Sequence, residues 1–389
     1  MRRMASVVGS GHALLLEHFQ IGAFRGLVAV TLDSLARINL LVGANDSGKT
    51  SVLEALALFA APVDMAEWAA IARSRDVRSF GISGDALSSI DAIRWMFPHS
   101  AHAELDMWEE HRRIDLEGHG RFPRRGLRAL CERLKGVPPQ TDQNRSFFAS
   151  AGDDAYDEGW LINVAWFDVG QAPVETPANH LAFPLWNSHG LRSASGSRPR
   201  SISVEYLAPY AHRNQTTNLK LLTSAVMDGS DNSIGELLSR LDRDVTGVEI
   251  VTTPDGKRPA IAIRHKRSGM VPISVLGDGI RRALSIALSV RKARNGLLLI
   301  DELEAGLHVS ALDRLYPWLV DACIANNVQL VATTHSLEAV EVIARLAEGD
   351  KQREMAAYHL ASPGSSHPLK RYTGGMLHRL VHEQGLDVR

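Results

Sequence analysis

The run Gly43-Ala44-Asn45-Asp46-Ser47-Gly48-Lys49-Thr50 meets the pattern G-x-x-x-x-G-K-[ST] in full. Its glycines let the backbone curl until consecutive N–H groups face phosphate oxygens at the positive end of the helix that follows. Lys49 would reach the β- and γ-phosphates of a nucleoside triphosphate, and Thr50 would offer its hydroxyl to Mg²⁺. Ser51 is counted with the loop as a contact. A second group lies at Leu297-Leu298-Leu299-Ile300-Asp301-Glu302, an apolar run ending in two carboxylates. Asp301 would hold the metal through water, and Glu302 would polarise an attacking water. Alone this pattern is usually a strand emerging into solvent; downstream of a complete phosphate loop it reads as part of a site.

Two further groups join these. His335 closes the run Gln329-Leu330-Val331-Ala332-Thr333-Thr334-His335-Ser336, about 33 residues after Glu302. A histidine there would hydrogen-bond the γ-phosphate or orient water. The segment Leu276-Gly277-Asp278-Gly279-Ile280-Arg281-Arg282 opens a helix about 20 residues before the carboxylate strand. A glycine turn at a helix N-terminus is an anion-binding device, although taken singly it is an ordinary cap.

Such residues need elements to hold them. Leu14 to Leu16, Val28 to Val30 and Ile38 to Val42 alternate as strands, and Val52, Leu53, Leu56 and Phe59 follow the loop at helical spacing. The order is strand, glycine loop, helix. Residues 62–200 mix Trp, Pro, His and charged residues, and Gly126 to Lys135 reads as a helical stretch. Ser188 to Ser201 reads as a mobile loop. Beyond it, Ser203 to Leu207 suits a strand and Ile234 to Leu241 a helix. Val248 to Val251 and Ala260 to Ile263, around Pro254-Asp255-Gly256, suit a hairpin. Arg281 to Arg294 suits a helix, and Leu297 to Ile300 and Gln329 to Ala332 suit buried parallel strands. Strands alternating with helices argue for an α/β core.

The 389 residues allow one large or two ordinary domains. With 43 Lys and Arg against 44 Asp and Glu, the net charge is −1, so any nucleic-acid contact needs a local patch. Arg121, Arg124, Arg125, Arg128, Arg133 and Lys135 form one basic stretch, and Arg192, Arg198 and Arg200 another; a solvated face is the commoner meaning of such runs. His99, His102, His111 and His119 match no metal-ligand spacing. Cys131 and Cys323 stand too far apart in sequence to suggest a disulfide framework or a zinc site, which fits a reducing cytoplasm. The start, Met1 to Ser6, is expected to be a short flexible tail (residues 1–12) rather than a signal peptide. No apolar run reaches the roughly 18 residues of a membrane helix.

Taken together, the four groups resemble the ABC-type ATPase heads of the RecF/SMC branch, and especially the OLD-like ATPases. The resemblance covers roughly residues 13–60 and 201–389. It starts at Phe24-Arg25-Gly26 after a strand, then runs through the phosphate loop, Leu276 to Arg282 and Leu297 to His308. Ala332 to Ser336 and the closing His382 to Arg389 complete it. It implies an α/β P-loop NTPase fold, an ABC ATPase-like head with a mixed sheet, split into residues 13–61 and 201–389 by a helical insertion lobe at 62–200.

It also implies ATP and Mg²⁺ as cofactors, and two heads dimerising with ATP between them, as a homodimer or within a higher homo-oligomer. The phosphate loop, Glu302 and His335 would act in cis, with Arg25 approaching the nucleotide. Gly277 and Gly279 would cap the γ-phosphate in trans. Gly306-Leu307-His308 takes the place of the loop that crosses the dimer interface, in preference to Ser310 to Asp313. Gly277 stands where transporter heads carry serine, which agrees with the OLD-like branch. OLD nucleases continue into an acidic Toprim domain; with about 50 residues after His335, no nuclease is expected here.

The expected function is an ATP-driven switch of the OLD-like class, working with a separately encoded effector, in anti-phage or mobile-element systems. The alternative is a RecF-like DNA repair or chromosome factor, so nucleic acid stays open as a partner, whereas a membrane does not. A scaffold that scarcely hydrolyses ATP is disfavoured by Glu302, and a transporter subunit by the serine-less signature. No Asn-Lys-x-Asp motif points to GTP.

Overall fold

The computed structural model describes residues 14–73, 89–98, 112–137, 157–169, 180–186, 202–229, 231–252, 258–361 and 369–389. It opens with β1 (Leu16–Phe24), β2 (Leu27–Leu32), β3 (Ile38–Val42), α1 (Lys49–Ala60), α2 (Met65–Arg73) and α3 (Ser89–Arg94). Then come β4 (Arg113–Gly120), β5 (Arg125–Gly136), β6 (Asp157–Asp168), β7 (His180–Trp186) and β8 (Val204–Leu207). Next are α4 (Gln215–Met227), α5 (Asp231–Leu241), β9 (Val245–Thr252), β10 (Pro259–His265), β11 (Gly269–Pro272), α6 (Asp278–Lys292) and β12 (Leu297–Ile300). The chain ends with α7 (Val309–Ala325), β13 (Gln329–Thr333), α8 (Leu337–Leu346), β14 (Met355–Leu360), β15 (Leu369–Thr373) and α9 (Gly374–His378).

The described residues form three sheets. One has the order β15-β14-β3-β13-β12-β8. All its neighbours are parallel except the edge strand β15, which runs antiparallel to β14. Strand β3 leads into the glycine loop and α1, and β13 lies between it and β12, so the carboxylate strand and the His335 strand end at the same edge as the loop. This is a P-loop NTPase fold. β12 and β13 are apolar on both faces because both faces are covered. Leu298, Ile300, Leu330 and Ala332 enter a core with α4 to α8, while Leu297, Leu299 and Val331 enter a second core with α1.

The second sheet is antiparallel, in the order β2-β1-β4-β5-β6-β7, and it packs over α1. From Ser51 to Ala60 every residue of α1 is buried between the two six-stranded sheets. Gln329 on β13 helps to pin them together: its side chain accepts from Leu16 N at 2.8 Å and donates to Leu16 O and Ala36 O. The third sheet, β11-β10-β9, includes the expected hairpin; Pro254 to Gly256 lie outside the described residues.

The insertion differs from expectation. Apart from α2 and α3, the regular elements described in it are strands, and Gly126 to Lys135 lies within β5, paired along its length with β6. Leu127, Ala129 and Cys131 point inward and Leu130 is 38% exposed, an alternation with the strand period of two. β1 and β2 form one sheet with β4 to β7, so that sheet crosses the boundary expected near residue 61. The loop at 188–201, Arg192, Arg198, Arg200, His99, His102, His111 and the tail at 1–12 lie outside the described residues. His119 stacks on His18 with ring centroids 4.9 Å apart. Among the described residues no helix is long and apolar enough to cross a membrane.

Candidate functional site

The loop between β3 and α1 is built around two glycines in conformations that other residues avoid. Gly43 has φ 145°, and a Cβ there would fall 2.3 Å from Leu360 O; Gly48 has φ 93°, and a Cβ would fall 2.5 Å from Leu27 Cδ2. Gly48 starts α1 without a side-chain cap. An uncapped helix start of this kind favours an anion through its dipole and its leading N–H groups. Lys49 folds back along the loop and donates from Nζ to Gly43 O at 2.8 Å and Ala44 O at 2.7 Å. Burial pushes its pKa down, against the pull of Asp301, Glu304, Asp46 and Glu302.

At the end of β12, Asp301 is 5% exposed and gathers hydroxyls. It accepts from Thr333 Oγ1 at 2.6 Å, from Thr50 Oγ1 at 3.1 Å to each carboxylate oxygen, and from Tyr206 OH at 3.4 Å. An oxygen-only set of one carboxylate and one hydroxyl, Asp301 and Thr50, fits Mg²⁺, which keeps several waters and takes few protein ligands. Bound there, the ion would neutralise phosphate charge.

Glu302 has φ 48°, a left-handed backbone rare for a non-glycine residue and characteristic of functional sites. Its N–H donates to Thr333 Oγ1 at 2.8 Å. Burial raises its pKa, with Asp301 adding to the shift and His335 opposing it.

These groups line one cavity of about 730 Å³, walled by Arg25, Gly26, Leu27, residues 45–51, Pro209, Tyr210, Asp301, Glu302, Thr333, Thr334 and His335. Of the expected residues, Asn45, Asp46, Ser47, Gly48, Lys49, Thr50, Ser51, Arg25, Asp301, Glu302 and His335 thus meet, with Gly43 supplying a carbonyl to Lys49. Arg25 is anchored by the fully buried Glu54 of α1, Nε to Oε2 at 2.8 Å. Gly277 and Gly279 are not in this cavity. Gly279 lines a separate groove with Gly306, His308, Arg243, Arg267 and Arg314.

Several participants were not foreseen. Glu304 accepts from the N–H groups of His335 and Ser336, at 3.0 and 3.1 Å on the same oxygen. Arg282 of α6 is fully buried and fans across four carbonyls. Nη1 reaches Ala208 O and Pro209 O, and Nη2 reaches Asp301 O at 3.0 Å and Glu302 O at 3.1 Å. Burial brings its pKa down to about 10. Its sequence signal was present, an arginine on the buried face of an apolar helix. Asp278 is held by Arg213 at 3.0 Å and Arg281 at 2.8 Å. The hydrogen bond from Arg213 lowers its pKa most.

Residues 173–341 match the family described as AAA domain, putative AbiEii toxin, Type IV TA system. An uncharacterised protein of Methanocaldococcus jannaschii is 43% identical over 68 residues, covering 18% of this chain and 60% of that protein. An ATP/GTP phosphatase of Helicobacter pylori is 29% identical over 116 residues, 29% of this chain and 30% of its own length. The matched segments thus span less than two thirds of these relatives. Among solved structures, the Smc head domain of Pyrococcus furiosus with an extended coiled coil, bound to the C-terminal domain of ScpA, aligns over 96% of this chain and 100% of its own, with TM-score 0.45 and 8% identity. The SMC head domain from Thermotoga maritima covers 92% of this chain and 99% of its own, with TM-score 0.38 and 11% identity. Residues 173–341 are thus similar to an AAA domain, and the glycine loop, the paired carboxylates Asp301 and Glu302, and His335 meet on one cavity.

Proposed function

We propose that this chain is an ATP-hydrolysing switch that dimerises around ATP and acts through a separate effector, as in the OLD-like ATPases. One observation carries the reading: the cavity is furnished for phosphate, metal and water activation, while the second glycine-started helix, α6, lies on another groove. An ATP site of this kind is half of a composite. The other half is the Gly277–Gly279 turn of a second copy, with Gly306 to His308 beside it. Glu302 polarises the attacking water, His335 holds the γ-phosphate side, and Thr50 with Asp301 carries Mg²⁺.

The name of the matched family, a putative toxin of a type IV toxin–antitoxin system, supports a place in a toxin–antitoxin setting, and the anti-phage role is part of the proposal. Cys131 and Cys323 are both buried and unpaired with each other, and a place in a reducing cytoplasm is part of the proposal. The RecF-like reading gains less support. The basic stretch is laced with acids: Arg124 pairs with Glu117, Lys135 with Glu158 at 3.2 Å and Arg133 with the same Glu158 at 3.7 Å.

Phosphate release and sedimentation of the purified protein, with and without Mg-ATP, test the proposal. Wild type should turn over ATP and Glu302→Gln should accumulate as an ATP-bound dimer. A wild-type protein that neither binds nor hydrolyses ATP ends it.

A further inference from the structure

The groove that holds Gly279 and Gly306 measures about 670 Å³, and the turn from α5 into β9, residues 241–244, forms part of its wall. Arg243, Arg267 and Arg314 line it against two aspartates, Asp242 and Asp244, which leaves the wall net positive. Two of the three arginines are engaged within the chain. Arg267 pairs with Asp244, and Arg314 donates from Nη1 to Arg240 O and Leu241 O, each at 3.2 Å, at the carbonyl end of α5. Arg243 is exposed, and among the described residues its side chain has no hydrogen-bond or ion-pair partner.

The backbone beneath Arg243 is fixed all the same. Val245 N donates to Asp242 O at 3.0 Å, Asp244 N to Asp242 Oδ1 at 2.9 Å, and Lys266 Nζ to Arg243 O at 2.8 Å. A pinned turn thus carries an unengaged guanidinium. That group stays charged at any ordinary pH, and its fork of N–H donors matches phosphate. On a wall shared with Gly279 and Gly306, it suits an anion brought from outside the chain.

We propose that Arg243 acts in trans: when two copies close, its guanidinium reaches the γ-phosphate held by the other copy's loop and stabilises the charge that builds there. In that step the water oxygen bonds to the γ-phosphorus and the bond to the β–γ bridging oxygen breaks, its electron pair passing to ADP. The water's proton leaves through Glu302 to solvent, and Arg243 forms no covalent bond. The role rests on the composite ATP site read above.

The test follows phosphate release by full chains, alone and mixed. Arg243→Ala should keep the wild-type melting temperature and bind ATP as a single chain, while turnover falls by roughly 10²-fold or more. Arg243→Lys, which keeps the charge without the fork, should lose less. Glu302→Gln disables only the site on its own loop. Arg243→Ala and Glu302→Gln chains mixed before ATP is added should regain about a quarter of wild-type turnover, because half the dimers are mixed and one site of each mixed dimer carries neither change. A residue acting in cis, or one that only supports the fold, gives no such recovery. Wild-type turnover by Arg243→Ala, or a mixture that stays inactive, would overturn the proposal. Sedimentation separates the two readings. If Glu302→Gln forms no dimer with ATP, the composite site fails and this role with it; if the dimer forms and the mixture stays inactive, only the role of Arg243 falls.

Discussion

Helices α1 and α6 both begin on glycine with no side-chain cap, whereas α4, α7, α8 and α9 begin on caps from Asn214, His308, Ser336 and Thr373. The two glycine starts are built differently. At α1 the chain's own packing demands glycine: Gly43 and Gly48 have positive φ, and a Cβ at either would fall against Leu360 O or Leu27 Cδ2. At α6 the backbone of Gly277 is extended, at φ −60° and ψ 157°, which any residue adopts. A Cβ on Gly277 would meet nothing within 4 Å, and one on Gly279 would come no closer than 3.7 Å to Gly306 O. The first pair of glycines serves the fold of its own chain, and the second borders open space, which the proposed composite site would fill from a second copy. In the proposed composite site, that contrast separates the phosphate loop from the half that a second copy would supply.

The sharpest break in the comparison is expected from the cavity side. Lys49→Ala removes the cation that spans the loop, and turnover should fall by on the order of 10²–10³, the scale of losing one preorganised charge-stabilising donor. Nucleotide binding, followed by fluorescence titration, should weaken with it. If Lys49→Ala turned over ATP like wild type, the loop would not be the phosphate site.

On the α6 side the expected loss is of a different kind. Gly277→Leu places a side chain in space that is open in the single chain, so the melting temperature should be near that of wild type. ATP binding should persist, while the ATP-dependent dimer is destabilised by about 2 kcal/mol or more, the scale of an interface hot spot, and turnover falls with it. Sedimentation across protein concentrations checks this. A dimer that forms normally would mean that α6 faces no partner.

Arg282 links the two regions, because it reaches from α6 to the carbonyls of Asp301 and Glu302. Arg282→Met leaves several buried carbonyls without a donor and should destabilise the head by about 3 kcal/mol or more, measured by urea unfolding. The α1 loop would then lose its carboxylate neighbours through α6, although the two helix starts line different hollows.

What the sequence made legible follows from how local each signal is. Gly43 to Thr50, Asp301-Glu302 and His335 sit at the ends of strands buried on both faces, whose apolar runs are short and unbroken. Gly126 to Lys135 misleads for a physical reason. Leu127, Leu130 and Leu134 fall at helical spacing among good helix formers, yet Leu127, Ala129 and Cys131 fall equally well at strand spacing. Pairing with β4 and β6 decides in favour of the strand, and that pairing is tertiary. Glu304 and Arg282 were missed because their partners are backbone groups. His335 N–H and Asp301 C=O leave no trace in a list of side chains.

The gentlest change probes the contrast most directly. Gly279 lies in the first turn of α6, where alanine should be better than glycine by about 0.5–1 kcal/mol through reduced freedom of the unfolded chain. Its Cβ would make only ordinary van der Waals contact with Gly306 O. Gly279→Ala should therefore raise the melting temperature slightly or leave it unchanged, with ATP binding intact. Gly48→Ala should lower it, since its φ is unfavourable and its Cβ collides with Leu27. If Gly279→Ala instead destabilised the isolated head as Gly48→Ala does, both glycines would serve the fold of their own chain. The argument for an external visitor at α6 would then be lost.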